Sequence, residues 1–282
     1  MSPAAETDHG QLVVVATPIG NLDDLSPRAA AMLASADLIG CEDTRRTGQL
    51  LAHLGVRTPM RAVHDHNESA VAGELCDLVA AGQTIALVSD AGTPGISDPG
   101  HDVVREAARR GLTVTAIPGP AAVIHALTIS GLPTDRFAFE GFLPRKQGAR
   151  LSRLQAVARD DRTLVFYVSP HRAADDLAAM VEAFGPERPA ALTRELTKLY
   201  EEVTRGTLAR LAEEAVTNPP RGEVTLVVGP APPTDPSEEM TDQEVRDRVQ
   251  ALVERGASRR DAVRQVADET GRRKREVYDL AT

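Results

Sequence analysis

Thr84-Ile85-Ala86-Leu87-Val88, followed by Ser89-Asp90-Ala91-Gly92-Thr93-Pro94-Gly95-Ile96-Ser97-Asp98-Pro99-Gly100, is the stretch that decides the fold. Its first five residues form a short apolar run of the kind that makes a buried strand, and Asp102 to Arg110 has the pattern of a helix. The long loop between them therefore leaves the carboxyl end of a strand, where open α/β sheets bind their ligands. Gly92, Gly95 and Gly100 allow the backbone to approach a ligand closely. Gly, Pro, Ser and Asp are also ordinary turn residues, so the loop by itself suits a ligand wall and a solvated turn equally well.

The same unit recurs on either side. Leu12 to Ala16 reads as a strand, followed by the turn Thr17-Pro18-Ile19-Gly20-Asn21 and a helix capped by Ser26 with Pro27 at its first position. Leu38 to Cys41 leads into Glu42-Asp43-Thr44-Arg45-Arg46 and a helix stopped by Gly55. A third strand near Arg61 to Val63 precedes His64-Asp65-His66-Asn67-Glu68 and a helix to Ala81. A fifth, Thr113 to Ile117, precedes Pro118-Gly119-Pro120-Ala121-Ala122 and a helix ending at Gly131. Five strand–helix repeats predict a parallel five-strand sheet covered by helices on both faces.

Beyond Gly131 strands become more frequent: Phe137 to Phe142, Thr163 to Tyr167, Pro189 to Thr193, Glu201 to Thr204 and Glu223 to Val228, with Leu143 to Gly148 as a basic loop and a helix running toward Phe184. That density predicts a mixed sheet. The proline-rich Gly229 to Pro236 reads as a semi-rigid spacer. Thr241 with Glu244, and Ser258 with Asp261, start two helices that Gly256 and Gly271 end, and a third runs from Arg272 to Leu280. The expected fold class is α/β: two α/β domains, 1–130 and 131–229, sharing a cleft, then a linker over 230–240 and a small helix-turn-helix-like domain over 241–282.

Composition narrows the function. Hydrophobic residues make up 42% and charged residues 26%, as in a globular protein. Aromatics are only 3%, with no Trp, and the net charge is −9, which argues against aromatic base-stacking platforms and a generally basic nucleic-acid coat. Residues 241–282 nonetheless carry a net charge of +1, leaving −10 on the rest, and Arg272-Arg273-Lys274-Arg275 concentrates positive charge at one helix start. That cluster reads either as a phosphate clamp or as the solvated tip of a structural appendage. Solitary Cys41 and Cys76 indicate neither a disulfide framework nor a metal site. The polar first ten residues lack a signal peptide's regions and no apolar run has transmembrane length, so a cytoplasmic protein with no membrane partner is expected.

Several chemistries lack their motif. There is no G-x-G-x-x-G after the first strand, no G-x-x-x-x-G-K-[ST], and no G-x-S-x-G around Ser89 or Ser169. His64 and His66, with Asp65 and Glu68, resemble metal ligands only superficially, and no metal is expected.

Seven segments in order carry a resemblance: Thr17-Pro18-Ile19-Gly20-Asn21-Leu22, Glu42-Asp43-Thr44-Arg45, His66-Asn67-Glu68, Ser89 to Gly100, Pro118 to Ala122, Glu140-Gly141-Phe142-Leu143-Pro144 and Arg194-Glu195-Leu196-Thr197-Lys198. They resemble the bacterial 16S rRNA (cytidine) 2′-O-methyltransferase I family of the tetrapyrrole methylase superfamily. The likeness extends over nearly the whole chain, including the helical tail. One departure is Val63, where that family usually has Tyr.

The resemblance implies S-adenosyl-L-methionine in the interdomain cleft, a homodimer, and ribose methylation of 16S rRNA at the decoding site of the 30S subunit. Carried over by position, Pro18, Asp90, Thr93, Ile96, Ala121, Ala122, Phe142 and Tyr167 would line the cofactor cleft, with Thr193 and Gly222 on its second-domain side. Asp90 and Asp98 are better suited to holding cofactor and shaping the loop than to acid–base work. A 2′-hydroxyl is a poor nucleophile that needs a base or a cation beside it. Lys146 or Lys198 near the hydroxyl, and Glu68 or His66 as acceptor or orienter, are the candidates, with Glu42 and Asp43 open to a helix-capping role instead. Arg45, Arg46, Arg145, Lys146, Arg150 and Arg153 are expected as a basic rim for RNA. Two alternatives stand: a tetrapyrrole methyltransferase, and a non-catalytic ligand-sensing DNA-binding regulator.

Overall fold

The computed structural model describes residues 10–232 and 240–281; the first nine residues of the N-terminal segment read for a leader and the second half of the expected spacer lie outside the described residues. The chain divides into two compact units, one running to Ala231 and one starting at Pro232.

The first unit opens with β1 (Gln11–Val15), α1 (Pro27–Ser35), β2 (Leu38–Cys41), α2 (Thr44–Leu54), β3 (Met60–Ala62), α3 (Glu68–Ala80), β4 (Thr84–Val88), α4 (His101–Arg109), β5 (Thr113–Ile117) and α5 (Ala122–Ser130). Local signals fix these bounds. Ser26 Oγ accepts the Ala29 N–H at 3.1 Å and Asp43 Oδ1 the Arg45 N–H at 2.8 Å, so both residues cap helices. All five strands run parallel in the order β3-β2-β4-β1-β5.

A parallel sheet must be covered on both faces. Ala29, Leu33 and Leu51 of α1 and α2 pack with Val13, Val15 and Ile39; Val71, Leu75 and Val103 of α3 and α4 pack with Leu12, Ile85 and Leu87 on the other side. The chain therefore leaves the adjacent strands β1 and β4 toward opposite faces. A crevice opens between their loops, as at any such reversal.

The second sheet follows: β6 (Phe137–Phe142), α6 (Gln147–Val157), β7 (Thr163–Val168), α7 (Ala173–Phe184), β8 (Pro189–Arg194), β9 (Glu202–Thr207), α8 (Leu208–Thr217) and β10 (Val224–Val228). Its order is β6-β7-β10-β8-β9, with β6 parallel to β7 and the other pairs antiparallel. One face buries Leu154, Phe166, Leu177, Met180 and Leu208. On the other, Val123, Ala126 and Leu127 of α5 meet Val165 and Val227, and Ile19 from the β1 loop joins the same cluster. Thus α5 packs on the second sheet and brings the two sets of loops to one place.

Two helices escaped the sequence. Lys146 precedes α6 with no side-chain cap, so the segment gives no start signal. Thr207 ends β9 and caps α8 in one step, leaving no turn to mark the change.

In the second unit, α9 (Asp242–Glu254), α10 (Arg259–Thr270) and α11 (Lys274–Leu280) enclose Val245, Val249, Val263, Val266 and Val277. Thr241 and Glu244 form the expected capping box. Thr241→Ala is therefore expected to cost about 1 kcal/mol, read as faster hydrogen exchange through the first turn of α9. The expected phosphate clamp needs correction at Arg272. Its Nη1 lies 2.6 Å from Asp242 and its Nη2 donates to the Met240 carbonyl at 2.7 Å, so this guanidinium fastens the unit. No helix of the described residues is long and apolar enough to cross a membrane.

Candidate active site

The Ser89–Gly100 loop is held from three sides. Thr17 and Gly92 exchange backbone hydrogen bonds of 2.9 and 3.1 Å, tying the β4 loop to the β1 loop. Thr93 Oγ1 donates to the Pro120 carbonyl at 3.4 Å, tying it to the β5 loop. Behind it, Glu68 Oε1 accepts the N–H groups of Gly100 at 2.9 Å and Asp102 at 2.6 Å. A Cβ at Gly100, where φ is 134°, would lie 3.2 Å from the Gly95 nitrogen, so only glycine closes this loop without strain.

Between this loop and the second sheet lies a cavity of about 380 Å³. Seven residues expected on the cofactor wall line it: Thr93, Ile96, Ala121, Ala122, Phe142, Tyr167 and Gly222. Pro18 and Asp90 line a neighbouring hollow of about 310 Å³ together with Leu22, Arg46 and Leu50. Thr193 is fully buried under the floor, its Oγ1 donating to the Thr225 carbonyl at 3.0 Å. Phe142 is 55% exposed, and its ring centroid lies 5.4 Å from that of Tyr167. Burial, with a smaller push from Asp98, raises the Tyr167 hydroxyl to about 12, although the Val123 N–H opposes the shift.

Carboxylates crowd the first-sheet side. Burial raises Asp98, and Asp90, Asp65 and Glu223 add to the effect while a hydrogen bond with Ser89 opposes it. Burial likewise raises Glu42, with Asp90 and Asp98 contributing. Asp90 Oδ1 accepts the Asp43 N–H at 3.0 Å, and Arg46 Nε stands 3.5 Å from Asp90 Oδ2. Electrostatically, such a wall favours a cationic ligand.

Of the catalytic candidates, the structure brings Lys198 to the cavity edge. Its Nζ lies 2.9 Å from Glu195 Oε1 and 3.1 Å from Glu223 Oε2, and Glu223 lines the cavity. Burial pulls the ammonium's pKa down, but the hydrogen bonds to Glu195 and Glu223 outweigh it and leave the pKa above the ordinary lysine value. Glu195 and Thr197 adopt positive φ of 52° and 65°, a strained turn that presents Lys198. The other three candidates lie elsewhere. Glu68 is committed to the Gly100 and Asp102 amides, while exposed Lys146 and His66 stand outside the cavity lining.

The expected basic rim is largely consumed by local pairing. Arg45 pairs with Asp43, Arg46 with Asp90, Arg150 with buried Asp176, and Arg153 with Glu140. Of the capping alternatives, Asp43 caps α2, whereas Glu42 Oε2 faces the Asp90 N–H at 3.5 Å. Sequence reasoning missed Ser97, Ser169 and Glu223 on the cavity wall. The turn Gly222-Glu223 just before a strand was the available signal for the last.

A βα sheet whose loops face a second, mixed sheet across a cleft is the architecture of the tetrapyrrole methylases. The family model described as Tetrapyrrole (Corrin/Porphyrin) Methylases matches residues 11–212. Solved structures share the fold. The methyltransferase CobJ superposes with a TM-score of 0.59 at 21% identity, over 79% of this chain and 95% of that one. Uroporphyrin-III C-methyl transferase from Thermus thermophilus, complexed with S-adenyl homocysteine, gives 0.55 at 21% identity over 78% and 97%.

Sequence relatives are much nearer. Ribosomal RNA small subunit methyltransferase I of Synechocystis sp. is 46% identical over 96% of this chain and 97% of its own length. The protein of that name from Mesorhizobium japonicum is 51% identical over 78% and 75%, and that from Xylella fastidiosa Temecula1 is 45% identical over 95% and 98%. The chain belongs to the tetrapyrrole methylase family and, within it, to the group of relatives named ribosomal RNA small subunit methyltransferase I.

Proposed function

We propose that this chain transfers a methyl group from S-adenosylmethionine to the ribose 2′-oxygen of a cytidine at the decoding site of 16S rRNA, acting on the 30S subunit as a homodimer in the bacterial cytoplasm. The observation that carries the reading is the 46% identity to a ribosomal RNA small subunit methyltransferase I across 96% of this chain, a span that includes the helical tail.

The cavity's own chemistry supports the donor. Its volume of about 380 Å³ suits a nucleoside-sized ligand, and Ala121 and Ala122 leave room beside the Phe142 and Tyr167 rings for a purine. Asp98 and Glu223 on the wall, with Glu42 and Asp90 behind it, suit a sulfonium and an ammonium. When bound, S-adenosylmethionine supplies an electrophilic methyl on sulfur, so that one O–C bond forms as one S–C bond breaks.

The chain's remaining task is alignment and charge. Orientation in a closed cleft can supply about 7–11 kcal/mol in ideal cases. Lys198, held cationic, stabilises the negative charge developing on the 2′-oxygen. Glu223, paired with it at the cavity edge, takes the hydroxyl proton.

Labelled S-adenosylmethionine incubated with undermethylated 30S particles, followed by nucleoside mapping, tests the reading. Label is expected in one 2′-O-methylcytidine, with a porphyrinoid acceptor in a parallel tube left unlabelled. Label on a base, or on the porphyrinoid alone, would overturn it.

A further inference from the structure

A third cavity, of about 610 Å³, opens on the second-sheet side of the cleft and is bounded by Phe142, Leu143, Arg145, Ser169, His171 and Arg172. Phe142 and Ser169 line both this cavity and the one of about 380 Å³, so the half-exposed Phe142 ring is the partition between them. The two sides have opposite chemistry. Asp98 and Glu223 stand on one, whereas the other holds two guanidiniums and an imidazole and no carboxylate in its lining.

The basic side is built rather than incidental. Asp176, 0% exposed, lies 3.1 Å from Arg150 Nη1 and 3.6 Å from Arg172 Nη2, and the same Nη2 donates to the Leu143 carbonyl at 3.1 Å. Arg172 is thereby fixed from behind. Its Nη1 is buried with no hydrogen-bond partner among the described residues. A buried donor left unpaired is costly, and a small turn of the guanidinium that brings it to an anionic oxygen in the cavity would offset that cost. Arg145 is exposed and makes no ion pair among the described residues, unlike Arg45, Arg46, Arg150 and Arg153.

We propose that this cavity seats a backbone phosphate of the RNA substrate, belonging to a nucleotide next to the target, with Arg172 and Arg145 as its ligands. The inference rests on the function proposed above and adds to it the place where the RNA strand is gripped. With the phosphate fixed on one side of Phe142, the adjoining ribose reaches over the ring toward the methyl donor on the other. Phosphate contacts set register, and an exposed aromatic ring between them offers a stacking face to one base. The separation also keeps a polyanion away from the carboxylates around Asp98.

One other anion has the chemistry to occupy the site, the carboxylate of the methyl donor itself, and the test distinguishes the two. Arg145→Ala and Arg172→Lys are made in the full chain; the latter keeps a positive charge facing Asp176 but loses the planar fork. Kinetics on undermethylated 30S particles are measured over a range of salt concentrations, alongside calorimetry with S-adenosylmethionine. Arg145→Ala and Arg172→Lys are expected to raise KM for the subunit roughly tenfold; Arg145→Ala, which removes a charge, should also flatten its log–log salt dependence by about one unit, whereas Arg172→Lys, which keeps one, should leave the slope as it is. The affinity for S-adenosylmethionine should stay within about twofold.

An unchanged KM and salt slope in an active wild-type background overturns the phosphate site alone. Weakened S-adenosylmethionine binding with an unchanged KM assigns the cavity to the donor's carboxylate and also overturns it. Failure of the wild-type chain to label any RNA overturns the function reading and the phosphate site with it.

Discussion

Asp98→Asn is expected to make the unliganded protein more heat-stable at neutral pH and to weaken its hold on S-adenosylmethionine. Burial is the leading reason that the Asp98 carboxyl sits above its ordinary range, with Asp90, Asp65 and Glu223 pushing the same way. For an acid whose pKa is raised by folding, the favourable contribution is fully present below the unfolded value, about 3.9 for aspartate, and is lost as pH rises through the folded value. At pH 7 the ionised side chain therefore opposes folding. An amide of the same shape removes that opposition and retains an acceptor for Ser89. The melting temperature should rise at pH 7, and the difference from wild type should shrink toward zero below about pH 4. Binding runs the other way. Losing a charged partner for a cationic ligand costs about 2 kcal/mol, a factor of roughly thirty in Kd. A lower melting temperature at pH 7, or an unaltered Kd by calorimetry, would show that Asp98 has no such double role.

The first sheet was legible because each step of it announces itself locally. Ser26-Pro27 and Asp43 start helices, Gly55 and Gly131 stop them at positive φ, and the apolar runs between are too short for anything but strands. The second half was legible as strands and as the helix that ends at Phe184, but no further. The starts of α6 and α8 carry no cap-and-turn punctuation, so their existence depends on the face they bury: Leu154 in one case, Leu208 and Leu211 in the other. Seven of the ten expected cofactor residues reach one cavity because they sit in loops, at the ends of β6 and β7, or at the start of α5, which the sheet order brings together.

Charge was the least readable property. Arg150 and Arg153 fall three residues apart in a basic stretch, yet one is buried against Asp176 and the other is paired with Glu140. Sequence displays the charges but not the long-range partners that consume them. Glu68 illustrates the same limit, since its partners are backbone amides more than thirty residues away. The opposite signs on the two sides of Phe142 exist only after β6 and β7 pair and bring Arg145 beside Arg172.

The largest effect on turnover is expected from Lys198→Met, which should lower kcat by about 10²–10³-fold, the size of effect seen when one preorganised stabiliser of transition-state charge is removed. The stem of Lys198 lies against Gly20, where a Cβ would come within 2.5 Å of the lysine Cγ and 2.8 Å of its Cε. Methionine follows the same path and preserves that packing, so the substitution removes mainly the charge. In the wild type the Glu195 and Glu223 carboxylates keep the ammonium protonated above the usual lysine range, which makes it unsuited to act as the base and suited to face a developing alkoxide. The wild-type rate should accordingly show no alkaline loss attributable to Lys198 below about pH 10.4. Removing a cation from a wall that already includes Asp98 and Glu223 should leave S-adenosylmethionine binding unchanged or slightly tighter. Single-turnover rates on 30S particles, set beside the S-adenosylmethionine Kd, decide the matter. A raised KM for the subunit with kcat intact would place Lys198 among the phosphate-gripping residues and leave the alkoxide without its cation.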